Sequence, residues 1–219
     1  MTTNQSRELF ATFSITGFAV SPDERQIVYS TNLQGKYDLW ALDRGQGYLY
    51  PLTQKGQMSS KYLPGKEMLL TGFDNDCDEN WQIYALSSDG GELVPVLSNP
   101  REKFYFGDVS VDGQVLYFYT SEDNRRYQNI ARLDLRSGGR EITLQGQEGP
   151  VRLLSVSPDQ ASFAYGHSLG NTKDLGYIRI GEEDIAVTPE THSTQRVHGI
   201  KYFDHDTVYQ FRKSTPSVL

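Results

Sequence analysis

The chain has 219 residues, a net charge of −7 and 22% charged residues, with 14 Tyr, 10 Phe and 20 Gly. A chain of that length can bury a substantial core, while its acidic balance argues against nucleic acid, because phosphate recognition needs a basic face. Cys77 is the only cysteine, so no internal disulfide can form.

From the N-terminus, Met1 to Phe13 holds no apolar run of secretory length. No stretch approaches the eighteen or so apolar residues of a membrane span. The expected compartment is the cytoplasm, with no membrane partner. Residues 1–13 read as an N-terminal segment, in which Ser6 to Phe13 could form a short helix or a stray strand.

A repeat then begins. The first unit carries Phe18-Ala19-Val20-Ser21-Pro22-Asp23, Gln26-Ile27-Val28-Tyr29-Ser30, Asp38-Leu39-Trp40-Ala41-Leu42-Asp43 and Tyr50-Pro51-Leu52-Thr53. The second has Tyr62-Leu63-Pro64-Gly65, Met68-Leu69-Leu70, Gln82-Ile83-Tyr84-Ala85-Leu86 and Val94-Pro95-Val96-Leu97. The third has Val109-Ser110-Val111-Asp112-Gly113, Val115 to Tyr119, Ile130 to Asp134 and Glu141-Ile142-Thr143. The fourth has Val156-Ser157-Pro158-Asp159, Ser162 to Tyr165, Gly176 to Ile180 and Ile185 to Thr188.

Two anchors keep one period. Leu42, Leu86, Leu133 and Ile180 are 44, 47 and 47 residues apart, and Pro22, Pro64, Val111 and Pro158 are 42, 47 and 47 apart. A unit of about 45 residues with four short strands is a propeller blade. Ser-Pro-Asp and Val-Asp-Gly supply the turn between the first two strands. A β-sandwich is the competing fold, but it has no reason to keep one period. The anchors should be buried between sheets, and Trp40, Tyr84, Arg132 and Ile178 should lie on the third strands.

The fold expected is therefore all-β: a β-propeller of four complete blades (about 14–57, 58–103, 104–150 and 151–195) and a partial fifth (196–211), followed by a tail, 212–219. In the fifth unit Tyr202 to Asp206 is the turn and Thr207 to Phe211 the second strand. Its open edge predicts self-association, or a need for the remaining blades of a larger propeller. Closure of the four complete blades into a ring is the competing outcome.

Ser21-Pro22-Asp23, Ser157-Pro158-Asp159, the third strand Leu39-Trp40-Ala41-Leu42-Asp43 and the closing Leu52-Thr53 resemble the TolB-type, WD-repeat-like propellers. Within these, Ile15 to Val20, Trp81 to Leu86 and Phe118 to Asp123 are most similar to the N-terminal propeller of prolyl-oligopeptidase-family serine peptidases, in the acylaminoacyl-peptidase branch. The resemblance covers residues 15 to about 211. It implies a non-catalytic domain that gates peptides on their way to a C-terminal α/β-hydrolase domain, here truncated. The partners it implies are that peptidase domain and the remaining blades, with a peptide substrate only in the complete enzyme. A TolB-like module that binds other proteins is the alternative.

Several motifs could carry chemistry. Gly166-His167-Ser168-Leu169-Gly170 is a literal G-x-S-x-G, the nucleophile elbow of α/β-hydrolases. An elbow needs a strand, a strained turn and a helix. Here a strand is followed by turn residues and a further β run, and the repeat places the motif in the hairpin between second and third strands. Asp184 with His192 or His198 could nominally complete a triad. Only 49 residues follow Gly170, fewer than the rest of a hydrolase sheet needs. Ser168 is accordingly read as a hairpin residue, and no catalytic, cofactor-binding or metal-binding residue is assigned.

Asp74-Asn75-Asp76-Cys77-Asp78-Glu79 begins like a calcium loop but has Glu79 and Ala85 where Gly and Glu are required. It reads as a solvated hairpin tip. His167, His192, His198 and His205 lack metal-ligand spacing. Glu182-Glu183 reads as a turn after a third strand. Ser217-Val218-Leu219 fits the C-terminal peptides taken by PDZ-type pockets.

Overall fold

The computed structural model describes residues 13–56, 59–74, 79–189 and 194–214. The chain divides between Ser98 and Asn99 into two compact units. All regular structure among the described residues is β, and none of it is a helix long and apolar enough to cross a membrane.

The N-terminal unit holds two antiparallel four-stranded sheets. One has the order β1 (Ile15–Val20), β2 (Gln26–Thr31), β3 (Asp38–Asp43), β4 (Tyr48–Pro51). The other has β5 (Ser59–Tyr62), β6 (Met68–Asp74), β7 (Trp81–Ser87), β8 (Val94–Leu97). In the C-terminal unit, β9 (Phe104–Val109), β10 (Val115–Thr120), β11 (Asn129–Asp134) and β12 (Arg140–Gln145) form a third such sheet. A fourth comprises β13 (Val151–Val156), β14 (Ser162–Gly170), β15 (Lys173–Ile180) and β16 (Glu183–Ala186). A hairpin of β17 (Gln195–Tyr202) and β18 (Val208–Ser214) joins it through one parallel pairing, Lys173 with Gln195. Four meandering four-stranded sheets and a partial fifth are the blades of a β-propeller.

The Ser-x-Asp turns have a common physical basis. Ser21 Oγ donates to Asp23 Oδ1 at 2.7 Å and accepts from the Gln26 amide at 2.9 Å. Ser110 makes the same bonds to Asp112 (2.6 Å) and the Val115 amide (2.9 Å), and Ser157 to Asp159 (2.7 Å) and the Ser162 amide (3.0 Å). Each turn then has a residue of positive φ one position past the Asp: Glu24, Gly113 and Gln160. The second blade solves the turn differently. Leu63-Pro64-Gly65-Lys66 puts positive φ at Gly65 itself, as a Pro-Gly type II turn requires.

Alternation along each strand sends side chains to opposite neighbours. In the N-terminal unit Val28, Leu39, Ala41 and Leu52 pack with Tyr62, Leu69, Phe73 and Leu86. In the C-terminal unit Phe163 and Tyr165 face Tyr117, Ile130, Val151 and Leu153, while Ala164 between them joins Val197 and Ile200. A tyrosine ending the first strand bonds back to the preceding sheet: Tyr62 to Gln26 Oε1, and Tyr202 to Ser162 at 2.8 Å.

The ladders correct one anchor. Ile27 opposes Leu42, Leu69 opposes Leu86 and Leu116 opposes Leu133, but in the fourth blade Phe163 opposes Arg179 and Ser162 opposes Ile180. Leu86 and Leu133 are buried, as expected, whereas Leu42 is only half-buried and Ile180 is 50% exposed. The third strand of that blade is shifted by one residue, and a one-residue shift turns a side chain to the other face. Ile180 thus stands where Asp43 and Asp134 stand elsewhere. Those two carboxylates cap the next turn by accepting amides of Gly45 and Gln46, and of Arg136 and Ser137. In their place the fourth blade turns on Gly181, at φ 60°.

Trp40, Tyr84, Arg132 and Ile178 do lie on the third strands β3, β7, β11 and β15. β14 is longer than expected and carries Gly166 to Gly170, and Lys173 opens β15. β18 likewise continues through Arg212 and Lys213, because their backbones keep pairing with Val197 and Arg196 after the apolar pattern has ended.

Candidate functional site

The G-x-S-x-G residues occupy extended backbone at the end of β14, with β15 returning after a two-residue turn. Ser168 N donates to the Pro150 carbonyl at 2.9 Å, and Ser168 Oγ donates to Asp174 Oδ1 at 2.8 Å. Asp174 is buried and forms an ion pair with Arg196 at 3.7 Å. The hydroxyl therefore contacts a carboxylate directly. A nucleophilic serine needs a general base in that place, most often an imidazole, to take its proton.

The histidines and acids named with Ser168 are dispersed. His167 is adjacent in the strand, so its side chain leaves on the opposite face. Its ring packs toward Tyr177, 6.4 Å between centroids, and its Nε2 is buried without a hydrogen-bond partner. Asp184 lies on β16 and accepts from Arg179 Nη1 at 2.8 Å. His198 is exposed on β17, and His192 is outside the described residues. His205 sits in the β17–β18 turn, 2.9 Å from Asp206.

Of the acidic segment, Asp74 ends β6 and accepts the Glu79 amide at 3.3 Å; residues 75–78 are outside the described residues. Among the described residues no three His, Cys, Asp or Glu side chains group as metal ligands would. Glu182 is an exposed turn residue and Glu183 opens β16. The Ser217-Val218-Leu219 motif is outside the described residues.

What the sheets build instead is a repeated groove. In the C-terminal unit a cleft of about 480 Å³ is lined by Val151, Tyr165, His167, Tyr177, Arg179 and Asp184, among others. Tyr165 and Tyr177 stack at 5.2 Å. Burial pushes the Tyr165 hydroxyl well above the usual phenol range, and neighbouring Asp184 adds to the shift. In the N-terminal unit a cleft of about 540 Å³ is lined by Leu52, Thr53, Lys55, Phe73, Tyr84 and Glu92, among others, with Phe73 and Tyr84 stacked at 4.6 Å. The ladders make these clefts equivalent. Phe73 and His167 each stand four residues beyond Leu69 and Phe163, and Tyr84 and Tyr177 pair two residues beyond them. Both grooves lie between successive blades and offer aromatic walls with a charged rim. They suit contact with an apolar or aromatic group, and neither pairs a nucleophile with a base.

The Arg179–Asp184 pair beside Tyr165 was not anticipated from the sequence. Its only signal there is the 46-residue distance from Leu133 to Arg179, one short of the period.

No family model matches the sequence, and no curated protein is significantly similar to it. Solved structures are similar in fold. The chain superposes on a putative TolB from Agrobacterium tumefaciens with a TM-score of 0.64 at 18% identity, over 93% of this chain and 77% of that one. For TolB from Acinetobacter baumannii the TM-score is 0.62 at 16% identity, over 77% of this chain and 41% of that one. For prolyl oligopeptidase B from Galerina marginata the values are 0.61 and 11%, over 83% and 28%.

The likeness is one of fold. This chain is a propeller of the kind found in TolB and in prolyl oligopeptidases, and its match covers less than half the length of two of these three proteins. Its own repeat supplies the reason for the likeness: Ser-Pro-Asp turns and meandering four-stranded blades.

Proposed function

We propose that this chain is a non-catalytic propeller domain of the prolyl-oligopeptidase type, one that stands over a peptidase domain and limits which peptides reach it. The observation that carries the reading is the superposition of 83% of the chain on 28% of prolyl oligopeptidase B. Such a match corresponds to part of a larger enzyme. The hydrogen bond from Ser168 to Asp174 agrees with it, since the hydroxyl is committed to holding a hairpin. In this role the blades contribute shape and exclusion, and the chemistry belongs to another domain.

A TolB-like domain that binds proteins is the second reading. It is favoured by the match to the putative TolB, which covers 93% of this chain and 77% of that one. The flanking gene sequence separates the two. A nucleophile elbow and a late histidine, in frame or in the adjacent frame downstream, would support the peptidase reading. Their absence from both frames would leave the binding module.

A further inference from the structure

The ladders allow the fourth blade to be compared with the second residue by residue. Phe163 corresponds to Leu69, because each faces the last residue of its first strand, Val156 and Tyr62. Counted along the pairings, His167 corresponds to Phe73, Arg179 to Leu86 and Asp184 to Leu93. In the second blade these places are apolar: Phe73 and Leu86 are buried in one cluster, and Leu93 packs against it. A blade therefore folds without polar groups there. In the fourth blade the same places hold an imidazole, a guanidinium and a carboxylate, all lining the cleft of about 480 Å³ in the C-terminal unit. Only 15% of the Arg179 side chain and 34% of the Asp184 side chain are exposed. Sheltering such a pair costs desolvation that apolar side chains of similar volume avoid. His167 adds a buried Nε2 with no hydrogen-bond partner among the described residues, which also opposes stability.

We propose that this cleft binds a small molecule consisting of an aromatic ring that carries an uncharged carboxamide. Arg179 donates from Nε to the Gly181 carbonyl at 3.2 Å and from Nη1 to Asp184 Oδ2 at 2.8 Å. Among the described residues no hydrogen bond takes its Nη2. Guanidinium nitrogens carry further N–H donors, and carboxylate oxygens accept more than one hydrogen bond. The pair thus presents a donor beside an acceptor and has no net charge. A carboxamide matches it, its carbonyl oxygen accepting from Nη2 and its N–H donating to the carboxylate. A carboxylate in the same place would meet Asp184, and an amidinium would meet Arg179. Glu148, the other charged group lining the cleft, is exposed, so water screens it. Tyr165 and Tyr177, stacked at 5.2 Å, and the ring of His167 supply flat apolar surface for the ligand's ring. Aromatic walls with a few convergent polar groups are the usual make-up of a small-molecule site, and the volume is in the usual range. The inference is independent of whether the domain covers a peptidase or binds proteins.

The test titrates the whole 219-residue chain with benzamide, benzoate and benzamidine, read by backbone amide NMR shifts. The three are planar molecules of nearly the same shape, with neutral, anionic and cationic head groups at neutral pH. Benzamide should bind about fivefold more tightly than either charged molecule, or better, and should shift the amides of Tyr177 and Arg179. Asp184→Asn leaves Arg179 an unbalanced cation and should put benzoate ahead of benzamide. The double variant Arg179→Leu with Asp184→Leu copies the second blade. It should keep a cooperative melt and lose about tenfold or more in benzamide affinity. Equal binding of benzamide and either charged molecule would overturn the proposal, as would the absence of binding by all three. So would an unchanged benzamide affinity in the folded double variant. An unreversed order in Asp184→Asn would overturn it however the double variant folds.

Discussion

Phe163 stands directly across the β14–β15 ladder from Arg179, at the position where the other three blades set a leucine or isoleucine against a leucine. The guanidinium reaches Asp184 on the next strand at 2.8 Å. A long side chain can fill an apolar position with its stem while its charged end finds a partner.

The first prediction follows from that difference. Leu86→Ala and Leu133→Ala remove buried side chains and should each cost about 2–5 kcal/mol. Ile180→Ala should cost about 0.5 kcal/mol or less, because the side chain is half in water. Urea denaturation of the three variants, compared by midpoint and slope, checks the ranking. An Ile180→Ala loss equal to that of Leu86→Ala would show that the slip is misplaced.

The Ser-x-Asp turns give a second prediction. Ser157 is buried, and its hydroxyl accepts from the Ser162 amide while contacting Asp159 and the Ser162 carbonyl. Ser157→Ala strands a buried amide and should cost about 1–3 kcal/mol. Gly65→Ala should also destabilise, through positive φ alone, by about 1 kcal/mol, since nothing lies within 4 Å of its Cβ position. Thermal melts of the two variants report both losses.

Acid should unfold the protein partly through these turns. Hydrogen bonds from Ser21, Ser110 and Ser157 hold Asp23, Asp112 and Asp159 below the ordinary carboxylate value of 3.8. Backbone amides do the same for Asp134 and Asp204. A carboxyl whose pKa is depressed in the folded state binds its proton more readily when unfolded. Its contribution to stability is therefore complete above its unfolded pKa and disappears as pH falls through the lower folded one. The urea midpoint should fall between about pH 5 and pH 2. The fall should be shallower when the three turn aspartates are replaced by asparagine. An identical slope in that variant would remove these groups from the account.

Ser168 should be unreactive. A serine-directed fluorophosphonate should not label it, and Ser168→Ala should cost about 1 kcal/mol through the lost bond to Asp174. Stoichiometric labelling that disappears in Ser168→Ala would contradict the geometry. Gly149→Ala should be far more damaging, because a Cβ there would meet the Ser168 carbonyl oxygen at 2.0 Å. A soluble Gly149→Ala with an unshifted melt would mean that the β14 end is looser than described.

The repeat was legible in the linear chain because propeller blades are local. Each strand pairs with its sequence neighbour, so apolar alternation and Ser-Pro-Asp turns report directly on the sheets that form. Leu86, Leu133 and the third-strand position of Trp40 could be read in that way. The discounting of Ser168 as an elbow also rested on local order, on a strand followed by another strand.

Pairing across strands was decided only in three dimensions. Spacing counted Ile180 as the fourth anchor, yet the ladder sets Arg179 there, because one residue fewer before the Gly181 turn reverses which side chains face inward. The Arg179–Asp184 bond and the equivalence of the Phe73 and His167 grooves both depend on which backbone lies beside which. Composition and period determine that blades form. Register, which a single residue can shift, decides what each blade buries and what it leaves exposed.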